Sequence, residues 1–166
     1  YKGEFYTTAG EKLQPYPVQQ PGPPVWVGSW GSEAGMRRVA RLGDGWLASA
    51  YNTDPARFAT GLRELRSQLI ALGRDANAFP NGIATAWTYV TEDKQKANRL
   101  LEDMLAPMLR RDPDELRRLL PIGSAAHCAE LFNTYAKAGA ERVFIWPIAD
   151  ELEQLERFYV RVASAC

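Results

Sequence analysis

Short apolar runs rich in β-branched and aromatic residues alternate along the chain with stretches whose apolar positions recur every three or four residues. Gly, Pro, Asn or Asp separates the two kinds of segment. The runs Val25-Trp26-Val27, Trp46-Leu47-Ala48-Ser49-Ala50, Ile83 to Val90 and Arg142 to Trp146 predict four strands. Between them the pattern predicts a helix over about 33–42 with Ser32 as N-cap, and a second opened by Asp54 with Pro55 in its first turn. The second helix carries the stripe Phe58, Leu62, Leu65, Leu69 and Leu72, and Gly73 ends it. A third is expected over Glu92 to Leu105, with Thr91 as cap and Pro107 as its stop. Asp112-Pro113 starts a short helix that Pro121-Ile122-Gly123 ends. Ser124 caps another that carries Leu131, Phe132 and Tyr135 up to Gly139, and Leu152, Leu155, Phe158, Tyr159 and Val162 line the last. The interleaved Asp150, Glu151, Glu153 and Glu156 read as that helix's solvated face.

Residues 1–24 hold Pro15, Pro17, Pro21, Pro23 and Pro24 and read as an extended lead-in, because each proline removes a backbone donor. Residues 25–166 then hold four βα units. Strands joined through helices run parallel, which leaves two architectures: a small open sheet with helices on both faces, or half of a (β/α)8 barrel. At 166 residues the chain is too short for a complete barrel, which takes about 250. In either case ligands belong at the carboxyl ends of the strands.

Composition narrows the partners. Twenty basic residues balance 20 acidic ones, with no clustered Lys/Arg stripe, so nucleic acid and anionic membrane surfaces are disfavoured. No apolar run is long enough to span a bilayer and the start is not a secretory signal, so the expectation is a cytoplasmic protein. Cys128 and Cys166 are too few for a disulfide framework, and His127 has no metal-binding motif beside it; no metal and free thiols are expected. The first residue is Tyr rather than Met, so further chain upstream is expected.

The candidate site comprises Gly28 to Ser32, Ser49 to Thr53, Thr91 and the Trp146-Pro147 corner. Gly28-Ser29-Trp30-Gly31-Ser32 is the most informative part. Two glycines permit close backbone approach, two hydroxyls add donors, and the following helix offers free N–H groups, a combination suited to phosphate. His127 reads as structural, near a helix start away from the strand carboxyl ends. Asp44 reads as a turn residue on the amino side of its strand, and Trp87, Tyr89 and Trp146 read as core. No base or nucleophile pair is visible, so the catalytic residues stay unknown.

Phe5-Tyr6, Pro17 to Ser29 and Arg41-Leu42-Gly43-Asp44-Gly45-Trp46-Leu47, followed by Leu72-Gly73-Arg74-Asp75, Ile122-Gly123-Ser124 and Ala138 to Val143, carry a resemblance. In that order, over nearly the whole chain, they resemble the bacterial-luciferase-like family of flavin- and deazaflavin-dependent oxidoreductases. The resemblance implies α/β architecture as the C-terminal half of a TIM-type (β/α)8 barrel, with FMN or a deazaflavin coenzyme over the carboxyl face. It also implies that Gly28, Ser29, Trp30, Gly31 and Ser32 receive the cofactor phosphate; Trp30 departs from the small residue relatives often have there. The family's ring-contacting residues lie mainly on the first four strands, so this chain alone is expected to be inactive. A half barrel leaves two strand edges and an inward apolar face that a missing N-terminal half or a second copy should cover. The alternative is a noncatalytic half barrel that binds a phosphorylated ligand or self-associates.

Overall fold

A computed structural model describes residues 1–10 and 14–165; Cys166 lies outside the described residues. The elements run β1 (Trp26–Gly28), α1 (Glu33–Leu42), β2 (Gly45–Ser49), α2 (Pro55–Ala71), β3 (Asn81–Val90), α3 (Lys94–Arg99), a π-helical turn (Leu100–Leu105), α4 (Ala106–Leu109), α5 (Pro113–Leu119), β4 (Ile122–Gly123), α6 (Ala125–Lys137), β5 (Val143–Pro147) and α7 (Glu151–Arg161). Every strand pair is parallel: β1 with β2, β2 with β3, and β3 with both β4 and β5. The four expected strands therefore lie side by side in chain order, β1-β2-β3-β5, with β1 and β5 as open edges. Ahead of Trp26, the described residues form only one isolated bridge, Lys2 with Thr7.

Alternation divides the sheet into two faces. Trp46 and Ala48 of β2 are buried against the helices, whereas Leu47 and Ser49 point the other way and stay half-buried. On β5, Val143 and Ile145 pack toward Val90, Cys128, Phe132 and Val162, while Phe144 and Trp146 turn to the opposite, concave face. Trp146 is 45% exposed there, not core as its sequence context suggests, because nothing among the described residues covers that face.

On the helical face the expected caps largely hold. Ser32, Asp54, Asp112 and Ser124 each accept backbone N–H bonds in the first turn of their helices. Gly73 and Gly139 take left-handed conformations past the ends of α2 and α6. The Trp46 and Phe58 rings stack 4.8 Å apart, and Gly61 lets α2 approach so closely that a Cβ there would lie 3.0 Å from the indole.

Several expectations are corrected. Leu72 is exposed because it sits past the last turn of α2, and Gly61 takes a place in the stripe instead. The cap before α3 is Asp93, whose carboxylate accepts from Gln95 and Lys96 N–H, while Thr91 only receives the N–H of Asp93. Pro107 does not stop the helix. A π turn precedes it, with Ala106 N–H reaching back to Leu101 O, so the chain continues helical to Leu109 and ends with Arg110 in the left-handed region. Pro121-Ile122-Gly123 is also more than a stop: Ile122 and Gly123 pair with Tyr89 and Val90 as a fifth strand.

The last helix is rotated relative to its expected stripe. Gln154 and Val162 are buried and Phe158 packs with them, at steps of four, while Leu152 and Tyr159 are exposed. The reason is polar. The Gln154 amide accepts from Val90 N–H at 2.7 Å and donates to Val90 O at 3.3 Å, serving the edge of β3 beyond the end of β5. An unserved buried peptide there would cost about 1–3 kcal/mol, so the helix turns its amide rather than its leucines inward.

Candidate functional site

Parallel pairing brings the ends of β1, β2, β3 and β5 to one rim. The bend after β1 opens on it. Ser29 N–H extends the strand pairing to Leu47 O at 3.1 Å, and the Trp46 indole N–H holds Ser29 O at 3.1 Å. Gly31 has φ of +88°, a turn that a side chain would strain, and it packs beside Gly61 of α2. Ser32 Oγ accepts from Gly35 N–H at 3.2 Å, leaving its O–H free to donate outward. Gly35 decides the position of the second hydroxyl, because a Cβ at Gly35 would come within 2.1 Å of Ser29 Oγ and 3.0 Å of Ser32 Oγ. The two serine hydroxyls thus converge over the first turn of α1. The bend is open, since a Cβ on Gly28 would meet nothing within 4 Å and Trp30 is 70% exposed. Glu33, the carboxylate of that first turn, is drawn away by an ion pair with Arg37.

Next to the bend, on the concave face, a polar line crosses β2 and β3. Arg111, from the segment after α4, donates to Tyr51 O at 3.0 Å and Asn52 Oδ1 at 2.7 Å. Asn52 Nδ2 lies 3.3 Å from Ser49 Oγ, which lies 2.9 Å from Thr85 Oγ1. Thr85 Oγ1 donates to Ala84 O at 2.6 Å. Thr85 occupies a bulge in which Ala84 and Thr85 together oppose Phe144, and its φ is +54°. A β-branched residue rarely adopts that conformation, which stores about 1–3 kcal/mol. Beyond it, the Trp87 and Trp146 rings meet edge to face at 5.3 Å. The Trp87 indole nitrogen is buried without a hydrogen-bond partner.

The residues between β3 and β4 fold over the same rim. Leu101, Leu105, Leu116 and Leu120 are buried in the cluster that holds Tyr89 and Ile122, with Tyr51, Ile148 and Ala149 packed against it. Tyr89 OH donates to Asp150 Oδ2 at 2.6 Å, and Lys96 Nζ lies 3.5 Å from that oxygen and 4.6 Å from the Tyr89 ring centre. Burial, and then the Asp150 carboxylate, pushes the Tyr89 phenol up. The Tyr89 hydrogen bond, with Lys96 helping, holds Asp150 below its ordinary range, and the same phenol raises Lys96. The group ties the loop after β5 to the end of β3. Asp150 has φ of +53° in that loop.

The model of a family described as luciferase-like monooxygenase matches residues 1–142. This chain belongs to the luciferase-like monooxygenase family. Among solved structures, the luciferase-like chain is similar to an F420-dependent secondary alcohol dehydrogenase in complex with an F420-acetone adduct. The TM-score is 0.75 at 15% identity, over 100% of this chain and 55% of that one. Monooxygenase RslO1 from Streptomyces bottropensis gives 0.74 at 15% identity, over 99% and 54%. The oxygenating constituent of 3,6-diketocamphane monooxygenase of Pseudomonas putida, in complex with FMN, gives 0.61 at 17% identity, over 87% and 49%. The luciferase-like chain thus spans about half the length of these structures, and its parallel α/β fold is that of half a barrel. No curated protein sequence matches it.

In the luciferase-like chain the expected site residues share one rim but not one environment. Gly28 to Ser32, Ser49, Tyr51 and Asn52 lie at the concave side, whereas Ala50, Thr53 and Thr91 are buried, at 1%, 3% and 8% exposure. Asp44 is a turn residue as expected, with Oδ2 accepting from Val25 N–H at 2.9 Å. His127 is corrected: α6 starts directly after β4, so its first turn stands at the carboxyl rim. There His127 lines a groove of about 310 Å³ with Thr91, Ser124 and Arg117, and its Nε2 lies 3.4 Å from Leu120 O. The larger concavity, about 870 Å³, is at the amino rim beside Trp26, Asp44, Pro80 and Arg142, away from the bend. Sequence reading missed Thr85, Arg111, Lys96 and Asp150. No local signal could single out Thr85, since its role depends on a bulge in β3 opposite β5. Asp150 reads in the sequence as solvated charge, yet it stands in the short loop after β5, where the hydrogen bond with Tyr89 gives it a role.

Proposed function

We propose that the chain is the carboxyl-terminal part of a flavin- or deazaflavin-dependent oxidoreductase of monooxygenase type, and that the bend at Gly28 to Ser32 receives the coenzyme phosphate. The observation that carries this reading is the pair of hydroxyls, Ser29 and Ser32, gathered over Gly35 at the open first turn of α1. That turn faces the carboxyl rim, where a phosphate would meet unpaired N–H groups and a positive dipole end. The donor set fits an anion. Trp46 and Gly61 hold the bend from behind, and the Glu33 carboxylate of that first turn is engaged by Arg37. Relatives in complex with F420 or FMN support a coenzyme of this class. Bound there, the coenzyme supplies the hydride or oxygen chemistry, while the protein orients it and excludes water.

The inner aromatic face, with Trp26, Phe144 and Trp146 partly exposed, and the two open edges at β1 and β5 call for a complementary half. Either the rest of one polypeptide or a second copy would provide it, and light scattering on the purified chain separates the two. The phosphate assignment is tested by fluorescence titration with FMN and with riboflavin, which differs in lacking phosphate. FMN should bind more tightly, and replacing both Ser29 and Ser32 by Ala should bring the two affinities together. Gly35→Ala should act in the same direction by displacing the Ser29 hydroxyl. An unchanged preference for FMN in the double variant would overturn the assignment.

A further inference from the structure

The hydrogen bonds across β2 and β3 have a fixed direction. The Arg111 guanidinium can only donate, so Asn52 turns its carbonyl oxygen to Arg111 and its NH2 to Ser49 Oγ. At the other end, Ala84 O can only accept, so the Thr85 O–H is spent on it. Thr85 must therefore accept in its 2.9 Å contact with Ser49, and Ser49 must donate. A hydroxyl oxygen offers one donor and two lone pairs. Ser49 has used its proton and one lone pair; Thr85 has done the same. What remains are two lone pairs, one on each oxygen, side by side on the half-buried concave wall with no proton between them.

We infer that Ser49 and Thr85 form an acceptor-only subsite, which takes a hydroxyl or N–H donor of the bound substrate and disfavours a carbonyl or carboxylate oxygen at the same point. This deepens the proposed function and rests on its placing of the coenzyme at the carboxyl rim, where Ser49 ends β2. Two further observations agree with it. The dyad stands on the wall that carries the exposed Trp146 ring, a surface for the apolar body of the same ligand. Moreover, Thr85 is kept in a left-handed conformation that glycine would occupy without strain, so the chain holds a hydroxyl where backbone preference alone would remove it. Arg111 acts as a positioning residue. It sets the orientation of Asn52, and through it the direction of the whole line.

The test uses two probes of nearly equal shape, 1-phenylethanol and acetophenone, which present a donor and an acceptor at the same atom. Each is titrated into the 166-residue chain while the Thr85 methyl and Trp146 indole resonances are followed by NMR. The alcohol should shift both resonances and bind about fivefold more tightly than the ketone, the ratio that one net hydrogen bond gives. Thr85→Ser, read like Thr85→Gly at the Trp146 indole because the methyl is gone, should keep the preference. Thr85→Gly should abolish it while raising the melting temperature, a combination that a merely structural threonine would not give. Ketone binding as tight as the alcohol's, neither probe shifting the two resonances, or a lower melting temperature in Thr85→Gly would each overturn the inference. The FMN and riboflavin titrations keep the two readings apart: phosphate-dependent FMN binding without the alcohol preference removes the acceptor subsite and leaves the coenzyme assignment standing.

Discussion

The two faces of one sheet differ more than any two elements of the chain. On the helical face Trp46 is 1% exposed, stacked on Phe58, with its indole N–H satisfied by Ser29 O. On the concave face Trp146 is 45% exposed, and the indole nitrogen of its neighbour Trp87 has no hydrogen-bond partner. The first face is finished within this chain. The second carries the strained bulge, the directed hydroxyl line and the exposed aromatic rings, and among the described residues it is left half open to solvent. Stability therefore resides on one face, and the proposed binding falls to the other, although the strands that supply both are the same.

The sharpest way to break that contrast is a matched pair of substitutions. Trp46→Ala should destabilise the chain by about 4 kcal/mol, since it removes a fully buried aromatic ring and frees the bend it holds. Trp146→Ala should cost about 1 kcal/mol or less, because half of the ring is already in water. Urea denaturation measures both, and equal losses would mean that the concave face contributes to folding as the other does.

Gln154→Leu extends the comparison to a polar member of the helical face. It should cost about 2 kcal/mol by stranding the buried Val90 N–H, although leucine is the more hydrophobic residue and Val90 O keeps the Arg157 guanidinium at 3.3 Å. A neutral or stabilising result would show that α7 can re-seat itself on Leu152 and Leu155.

Two smaller effects appear in the pH dependence. Burial pushes the Tyr135 phenol well above its ordinary value of 10.0, and its O–H donates to Thr53 O at 2.9 Å. The unfolded chain ionises this tyrosine first, so stability should be intact below pH 10 and fall as pH rises beyond it. Tyr135→Phe should lose about 1 kcal/mol at neutral pH and flatten that alkaline slope. Asp150 works in the opposite direction at the other end of the scale. Its folded value lies below the ordinary 3.8, so its contribution is present above that pH and disappears as the pH falls through the folded value. Asp150→Asn should remove this part of the acid slope in thermal melts, with the least effect of the set because the group faces solvent.

Much of the fold could be read from local pattern. Period and punctuation located the four principal strands, the caps Ser32, Asp54, Asp112 and Ser124, and the parallel order, because these depend on neighbours within one turn or one βα unit. The bend at Gly28 to Ser32 was legible for the same reason. Reading failed where a distant element decided the outcome. Val90 needed a partner beyond the end of β5, which turned Gln154 inward and Leu152 outward. The π turn carried the helix past Pro107, and β4 formed only because Tyr89 and Val90 offered a free edge.

The sequence by itself determined the four principal strands and the helices between them, that the strands run parallel, and that a Gly/Ser bend stands at the start of α1. These follow from periodicity, capping and short connections, all encoded over a few residues. Only the tertiary structure decided which face of each strand is covered, where the bulge turns Thr85, and which way the protons run from Arg111 to Ala84. Those depend on groups 60 residues and more apart, Arg111 and Tyr51 among them, and a hydrogen bond over that separation leaves no period in the chain to read.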